Sequence, residues 1–241
     1  MAIKITSLAL IIYIFLIRKI MFFLPIGCLI FLLFILLLPV LFILGFFHIV
    51  TIGFEKLGIS PGLTLFLLLA ILIGSTVNIP LTKRKIVYVE KSRFFGLWRT
   101  PKLEAQGLTI NLGGAVIPIL LSFYFFYLGW QKGFALEPVF IALILMIIIT
   151  KFLAKIVPGR GIVLPFFVPP IFSAIFALIL APAFTAPCAF ISGVLGTLIG
   201  ADILNLRKAQ KLSPGFLSIG GAGVFDGIFL VGIISALLAG F

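Results

Sequence analysis

The chain is 241 residues long, 63% hydrophobic and only 10% charged, with a formal net charge of +12. A soluble domain averages roughly 45–50% apolar and about 25% charged residues, so this chain has too little polar surface to cover a water-soluble globule. Soluble enzymes, nucleic-acid-binding domains and disordered chains are excluded, and the basic residues lie between apolar runs rather than along one face, which removes nucleic acid as a partner.

Residues 1–20 come first. Ile5–Ile17 is an apolar run that stops at Arg18-Lys19, short for a span and read as an interfacial helix or leader. Met21 offers an alternative start. A crossing helix needs about 20 mostly apolar residues, and seven segments supply them: 22–48, 62–81, 108–129, 138–157, 162–182, 187–206 and 216–240. They are continuously apolar rather than alternating, which predicts helices and not barrel strands. The expected fold is all-α: a polytopic transmembrane helical bundle of seven spans, with 21–241 as a single transmembrane domain. No internal repeat is evident.

Basic residues set the orientation. Arg18 and Lys19 precede the first span. Lys83, Arg84, Lys85, Lys91, Arg93, Arg99 and Lys102 fall in 82–107, Lys155 and Arg160 in the fourth connection, and Arg207, Lys208 and Lys211 in the sixth. The alternate connections hold only Lys56, Lys132 and, at 182–187, none. The positive-inside rule then puts the N-terminus in and the C-terminus out, in the cell's inner (cytoplasmic) membrane. Segment 82–107 is the one sizeable extramembrane piece. Its β-rich stretch 85–90 and its aromatics among arginines predict a cytoplasmic loop or hairpin lying on the anionic leaflet.

The two aspartates, Asp202 and Asp226, both lie in apolar segments, whereas Glu55, Glu90, Glu104 and Glu137 sit in loops or at span edges. An ionisable group inside a span costs about 2.5–3.5 kcal/mol on insertion scales and marks a functional site. Asp202 lies five residues before Arg207, near the inner end of its span. The glycines of 220–223 make a poor helix, so the last helix is expected to start near Phe225, which brings Asp226 level with Asp202. Asn78, Asn111, Gly113, Gly114, Asn205, Gly221 and Gly223 lie at the same level and are the candidate lining of a polar cavity open to the cytosol. Lys151 and Lys155 are candidate partners for one aspartate, and Pro165 and Pro169-Pro170 break the fifth span. Gly193, Gly196 and Gly200 read as a close-packing face. Cys28, Cys188 and the single His48 have no neighbours for a disulfide framework, a metal site or a catalytic triad, so no cofactor is implied.

Phe-Glu-Lys-Leu-Gly-Ile-Ser-Pro-Gly (54–62), Asn-Ile-Pro-Leu (78–81), Asn-Leu-Gly-Gly-Ala-Val-Ile-Pro (111–118), Gly-Val-Leu-Gly-Thr-Leu-Ile-Gly-Ala-Asp (193–202) and Ile-Gly-Gly-Ala-Gly-Val-Phe-Asp-Gly-Ile-Phe-Leu (219–230) carry a resemblance to a prokaryotic membrane-protein family, domain of unknown function 1614. The family name implies no activity. Asp226, following Gly221-Ala-Gly-Val-Phe, is also similar to the GxGD helix start of intramembrane aspartyl proteases, with Asp202 as its partner. Here two residues separate the last glycine from Asp226, and Ala201 stands where those proteases carry tyrosine.

Three functional classes follow. A two-aspartate intramembrane hydrolase would use Asp202 and Asp226 as catalytic residues on a transmembrane peptide. A proton- or cation-coupled transporter or channel would use the same carboxylates to hold a small cation. A non-catalytic subunit of a membrane complex would need neither. The lipid bilayer is a partner in every case, and the oligomeric state is open.

Overall fold

The computed structural model describes residue 28 and residues 31–45, 47–83, 85–93, 98–157, 161–212, 216–221 and 227–239. By contacts the chain divides into Met1–Ile49 and Val50–Phe241. The first unit is described by the apolar, outward-exposed start of α1 (Phe31–Lys56).

The second unit holds the bundle. After α1 come α2 (Pro61–Gly74), β1 (Asn78–Pro80), β2 (Lys85–Arg93), β3 (Trp98–Asn111), a π-helical turn (Leu112–Val116), α3 (Ile117–Gln131) and α4 (Glu137–Leu153). The chain continues through β4 (Lys155–Val157), β5 (Gly161–Val163), α5 (Val168–Leu180), α6 (Thr185–Thr197) with a second π-helical turn (Leu198–Ile203), α7 (Leu206–Leu212), β6 (Phe216–Ile219) and α8 (Gly227–Ala239). Prolines at the first turns of α2, α3, α4 and α5 suit positions where an amide has no helical acceptor to lose.

Helix α6 is the axis. It packs against α8, α4, α5 and α3, and Cys188 through Thr197 are buried without interruption. Small residues permit the approach. The Cβ of an alanine at Gly196 would lie 2.5 Å from Met146 Cβ, and one at Gly232 would lie 2.5 Å from Val194 Cγ2. Hydroxyls join the helices. Thr150 Oγ1 on α4 donates to Gly196 O at 2.8 Å, and Ser173 on α5 shares a hydrogen bond with Ser235 on α8. Thr64, Ser122, Thr150, Ser173, Ser192 and Ser235 are fully buried, while Phe123, Phe140, Ile144, Phe152 and Ile179 are exposed. An apolar core that also buries hydroxyls and small residues, with large apolar side chains outside, suits lipid, where small residues and hydroxyls hold helices together.

Among the described residues three helices are long and apolar enough to cross a membrane: Phe31–Lys56, Leu112–Gln131 and Pro182–Ile203. Five of the seven expected spans, 108–129 among them, are divided between a helix and a strand. The segment 62–81 is helical to Gly74 and then forms β1; 108–129 opens as the end of β3; 138–157 ends in β4; 162–182 opens in β5; and 216–240 opens in β6. The protein is therefore mostly helical, and it departs from an all-α bundle by a four-stranded sheet and a short hairpin. Hydropathy does not separate a short apolar strand from the end of an apolar helix. Pairing does: β1 runs antiparallel to β3 (Asn78 against Asn111), β6 runs parallel to it (Gly107 against Phe216), and β4 pairs with β5. Each pairing thus satisfies part of the backbone that leaves the helix at these places.

The second unit has two ends. The sheet end carries β1–β6 and α7, drawn together by α7 packing on β4 and by Gln106 Nε2 donating to Gln210 O at 2.9 Å. The basic segments around 82–107, 155 and 207–211 therefore share this end. At the other end Lys56, Gly58, Lys132, Phe134, Pro182 and Ala239 surround one depression.

Candidate functional site

Asp202 lies in the π-helical turn that closes α6. A π-turn inserts a residue and widens the helix, and such turns are frequent at functional sites. Leu204 N donates to Ile199 O at 2.9 Å, the five-residue spacing of that turn. Asn205 then folds back, its Nδ2 donating to Gly200 O and Ala201 O at 3.1 Å each, and so satisfies carbonyls that the ending helix leaves open.

The half-buried Asp202 carboxylate is held from across the structure. Gly220 N donates to Asp202 Oδ2 at 3.0 Å, the one hydrogen bond of this side chain among the described residues. Gly220 and Gly221 follow β6 with φ of 82° and 78°, left-handed values that other residues adopt only under strain. Space excludes a side chain as well, since a Cβ on Gly220 would lie 2.5 Å from Ala115 Cβ and 2.9 Å from Ala115 N.

Ala115 belongs to a second corner. Asn111 ends β3 and caps the first π-turn: Gly114 N donates to Asn111 Oδ1 at 2.7 Å, and Asn111 Nδ2 donates to Ser75 O at 2.7 Å and to Asn78 Oδ1 at 3.2 Å. Ser218 Oγ on β6 also donates to Asn78 Oδ1, at 2.8 Å. Gly113 sits against the end of α2, where a Cβ would be 2.2 Å from Ile71 O. This corner braces Ala115 against the Gly220 turn, and that turn orients Asp202.

Beside Asp202 is a cavity of about 170 Å³, lined by Ile162, Leu164, Pro165, Phe166, Pro169, Thr197, Ala201, Asp202, Gly221, Ile228 and Val231. Of the residues read from the sequence as cavity lining, Gly221 is in this wall with Asp202. Asn78, Asn111, Gly113 and Gly114 form the bracing corner, and Asn205 is the cap of α6. Asp226 and Gly223 lie outside the described residues; α8 begins at Gly227, the residue after Asp226. Lys151 and Lys155 are exposed, and neither pairs with Asp202 among the described residues. Gly193 packs on Ser235 and Ser173, and Gly196 and Gly200 pack on Met146, Ile147 and Thr150, so this glycine stripe serves helix packing.

Two features of the site escaped sequence reasoning. Thr197 lines the cavity one turn before Asp202, and its buried Oγ1 has no hydrogen-bond partner among the described residues. An uncharged hydroxyl in an apolar run carries no sequence signal. The β5 contribution through Ile162 was hidden because 162–182 reads as one apolar segment. Among the described residues no group of three or more His, Cys, Asp or Glu could hold a metal.

Fold and site together define a helical membrane protein with a carboxylate-lined cavity at its sheet end. The chain belongs to the family described as Protein of unknown function (DUF1614), whose model matches residues 72–238. That span contains the sheet, both π-turns and both aspartates, while all of α1 and most of α2 lie before it. No curated protein and no solved structure matches the chain.

Proposed function

We propose that the chain is an intramembrane hydrolase in which Asp202 and Asp226 act as a pair on a peptide bond of a transmembrane substrate. The observation that carries this reading is that Asp202 and Ile228 line one cavity, and Asp226 stands two residues before Ile228 in the chain. α6 packs against α8, which favours a meeting of the two carboxylates at the sheet end.

Two carboxylates a few ångströms apart cannot both ionise and so share one proton. The ionised member takes a proton from a water as it attacks the scissile carbonyl carbon, while the protonated member donates to the carbonyl oxygen. The tetrahedral adduct then collapses: the carbon–nitrogen bond breaks, the nitrogen takes the proton, and acid and amine leave with one water consumed. The pair titrates as a unit, so neither residue is assigned one role. The basic residues at the sheet end support a cavity facing the cytosol of the inner membrane.

The test is cleavage of transmembrane peptides by the reconstituted chain. Both Asp202→Asn and Asp226→Asn are expected to abolish cleavage while leaving the fold intact. Cleavage retained by either variant overturns the assignment. The cavity volume favours one competing reading, because about 170 Å³ is below the ~300–1,000 Å³ of small-molecule sites and suits a proton or small cation. Ion flux in proteoliposomes, lost in Asp202→Asn and accompanied by no cleavage, would favour that coupled transporter or channel.

A further inference from the structure

Thr197 and Asp202 are five residues apart. In an α-helix of 3.6 residues per turn that spacing sets two side chains about 140° apart, on nearly opposite sides. A π-helical turn bonds each residue to the one five along, and so stacks such a pair on one side. Thr197 is the N-cap of the π-helical turn Leu198–Ile203, which contains Asp202. The turn thereby brings both residues into the wall of the same cavity of about 170 Å³. They are the two polar side chains of that wall among the described residues; the rest is apolar side chains and Gly221.

Both keep bonding capacity that the surrounding chain leaves unused. Asp202 Oδ2 accepts from Gly220 N, whereas Oδ1 has no partner among the described residues. Thr197 is the exception among the buried hydroxyls. Every other buried serine and threonine among the described residues donates to a carbonyl three or four residues back, as Thr150 Oγ1 does to Met146 O and Ser192 Oγ to Cys188 O, both at 2.8 Å. Such back-bonding is what an apolar helix offers a hydroxyl. Thr197 Oγ1 is buried and makes no such bond. An unpaired buried polar atom costs free energy, so one that persists beside a carboxylate marks the place of an occupant that hydrogen-bonds to both.

We propose that, within the hydrolase reading on which this rests, Thr197 Oγ1 and Asp202 Oδ1 together hold the water that attacks the scissile carbonyl. No direct hydrogen bond joins the two side chains among the described residues, and a water bridges such a gap at little cost. A buried water makes about two to four hydrogen bonds to otherwise unsatisfied groups, and this pair supplies two. The water meets the aspartate pair through Asp202 Oδ1 and gives its second hydrogen to Thr197 Oγ1, which leaves a lone pair free for the carbonyl carbon. As the oxygen–carbon bond forms, the first hydrogen passes to the aspartate pair as a proton. The second stays on the new hydroxyl, and Thr197 keeps its own proton throughout.

Thr197→Val removes the hydroxyl and keeps the shape, whereas Thr197→Ser keeps the hydroxyl. The full chain is reconstituted in lipid with isotopically labelled aspartate carboxyls. Its two aspartates give two signals, and Asp202→Asn assigns one of them by removing it. Solid-state NMR then reads the transfer of magnetisation from water protons to the Asp202 carboxyl carbon. Transfer is expected to fall by roughly two-fold or more in Thr197→Val and to persist in Thr197→Ser. Equal transfer in the unaltered chain and in Thr197→Val overturns the proposal. Against a transmembrane peptide, Thr197→Val is expected to lower kcat by roughly 10–100-fold, the scale of a misplaced reactant, with KM unchanged. Thr197→Ser is expected to restore most of that loss. An undiminished kcat in Thr197→Val likewise overturns the proposal. An unaltered chain that shows the threonine-dependent transfer but cleaves no peptide overturns the hydrolase reading and retains the water site.

Discussion

Gly220 combines a left-handed backbone, a contact with Ala115 that leaves no room for a methyl group, and the amide that holds Asp202. Gly220→Ala is therefore expected to destabilise the protein by roughly 2 kcal/mol or more through strain and overpacking, read as a lower melting temperature in detergent. An unchanged melting temperature would mean that the turn does not brace the site. Asn111→Ala is expected to cost about 1–3 kcal/mol, because it leaves the buried Gly114 amide without the side-chain oxygen that accepts from it. Faster hydrogen exchange at Gly114 would locate that loss. Asp202 was legible as a lone acid in an apolar run, and Asn111 as an amide at a helix start. Their actual partners were not: the Gly220 bond spans 18 residues and depends on a backbone conformation that composition does not encode.

At the scale of elements, α4 and α6 touch through Gly196, Gly200 and Thr150. A Cβ on Gly200 would lie 2.1 Å from Thr150 Oγ1 and 2.4 Å from Ile147 O. Gly200→Ala should therefore separate the two helices and reduce folded protein in the membrane by more than Thr150→Val does. The valine keeps the shape and loses one interhelical bond, worth about 0.6–1.7 kcal/mol in lipid. Comparing folded yield and thermal midpoint of the two variants checks the order. The packing glycines were visible from spacing alone, because small residues at helical intervals have few other uses in a span. α8 is described from Gly227 onward, and the start near Phe225 expected from the glycines of 220–223 lies outside the described residues. Strands β1, β5 and β6 were not accessible, because Ile79, Ile162 and Leu217 are as apolar as the helices they adjoin and only their pairing distinguishes them.

For the whole molecule, the sheet end gathers the basic segments while Lys56 and Lys132 mark the opposite end. Single cysteines at 132 and 208, placed in a chain lacking Cys28 and Cys188, should react with a membrane-impermeant maleimide from opposite sides. Reaction of both from one side would refute the alternating path of the helices. That separation was legible from lysine and arginine positions, because charge cannot rest in hydrocarbon. The cavity was not legible in the same way, since its walls come from five separated stretches: 162–169, 197, 201–202, 221 and 228–231.

The convergence of Asp202 and Asp226 is tested most directly by a cysteine pair. Asp202→Cys/Asp226→Cys, in a Cys28→Ser/Cys188→Ala chain held in its membrane, is treated with a short bifunctional thiol reagent and digested. A single covalent link joining the α6 and α8 fragments is the predicted result. Two cysteines that each react with a monofunctional maleimide yet never become linked would contradict the pairing.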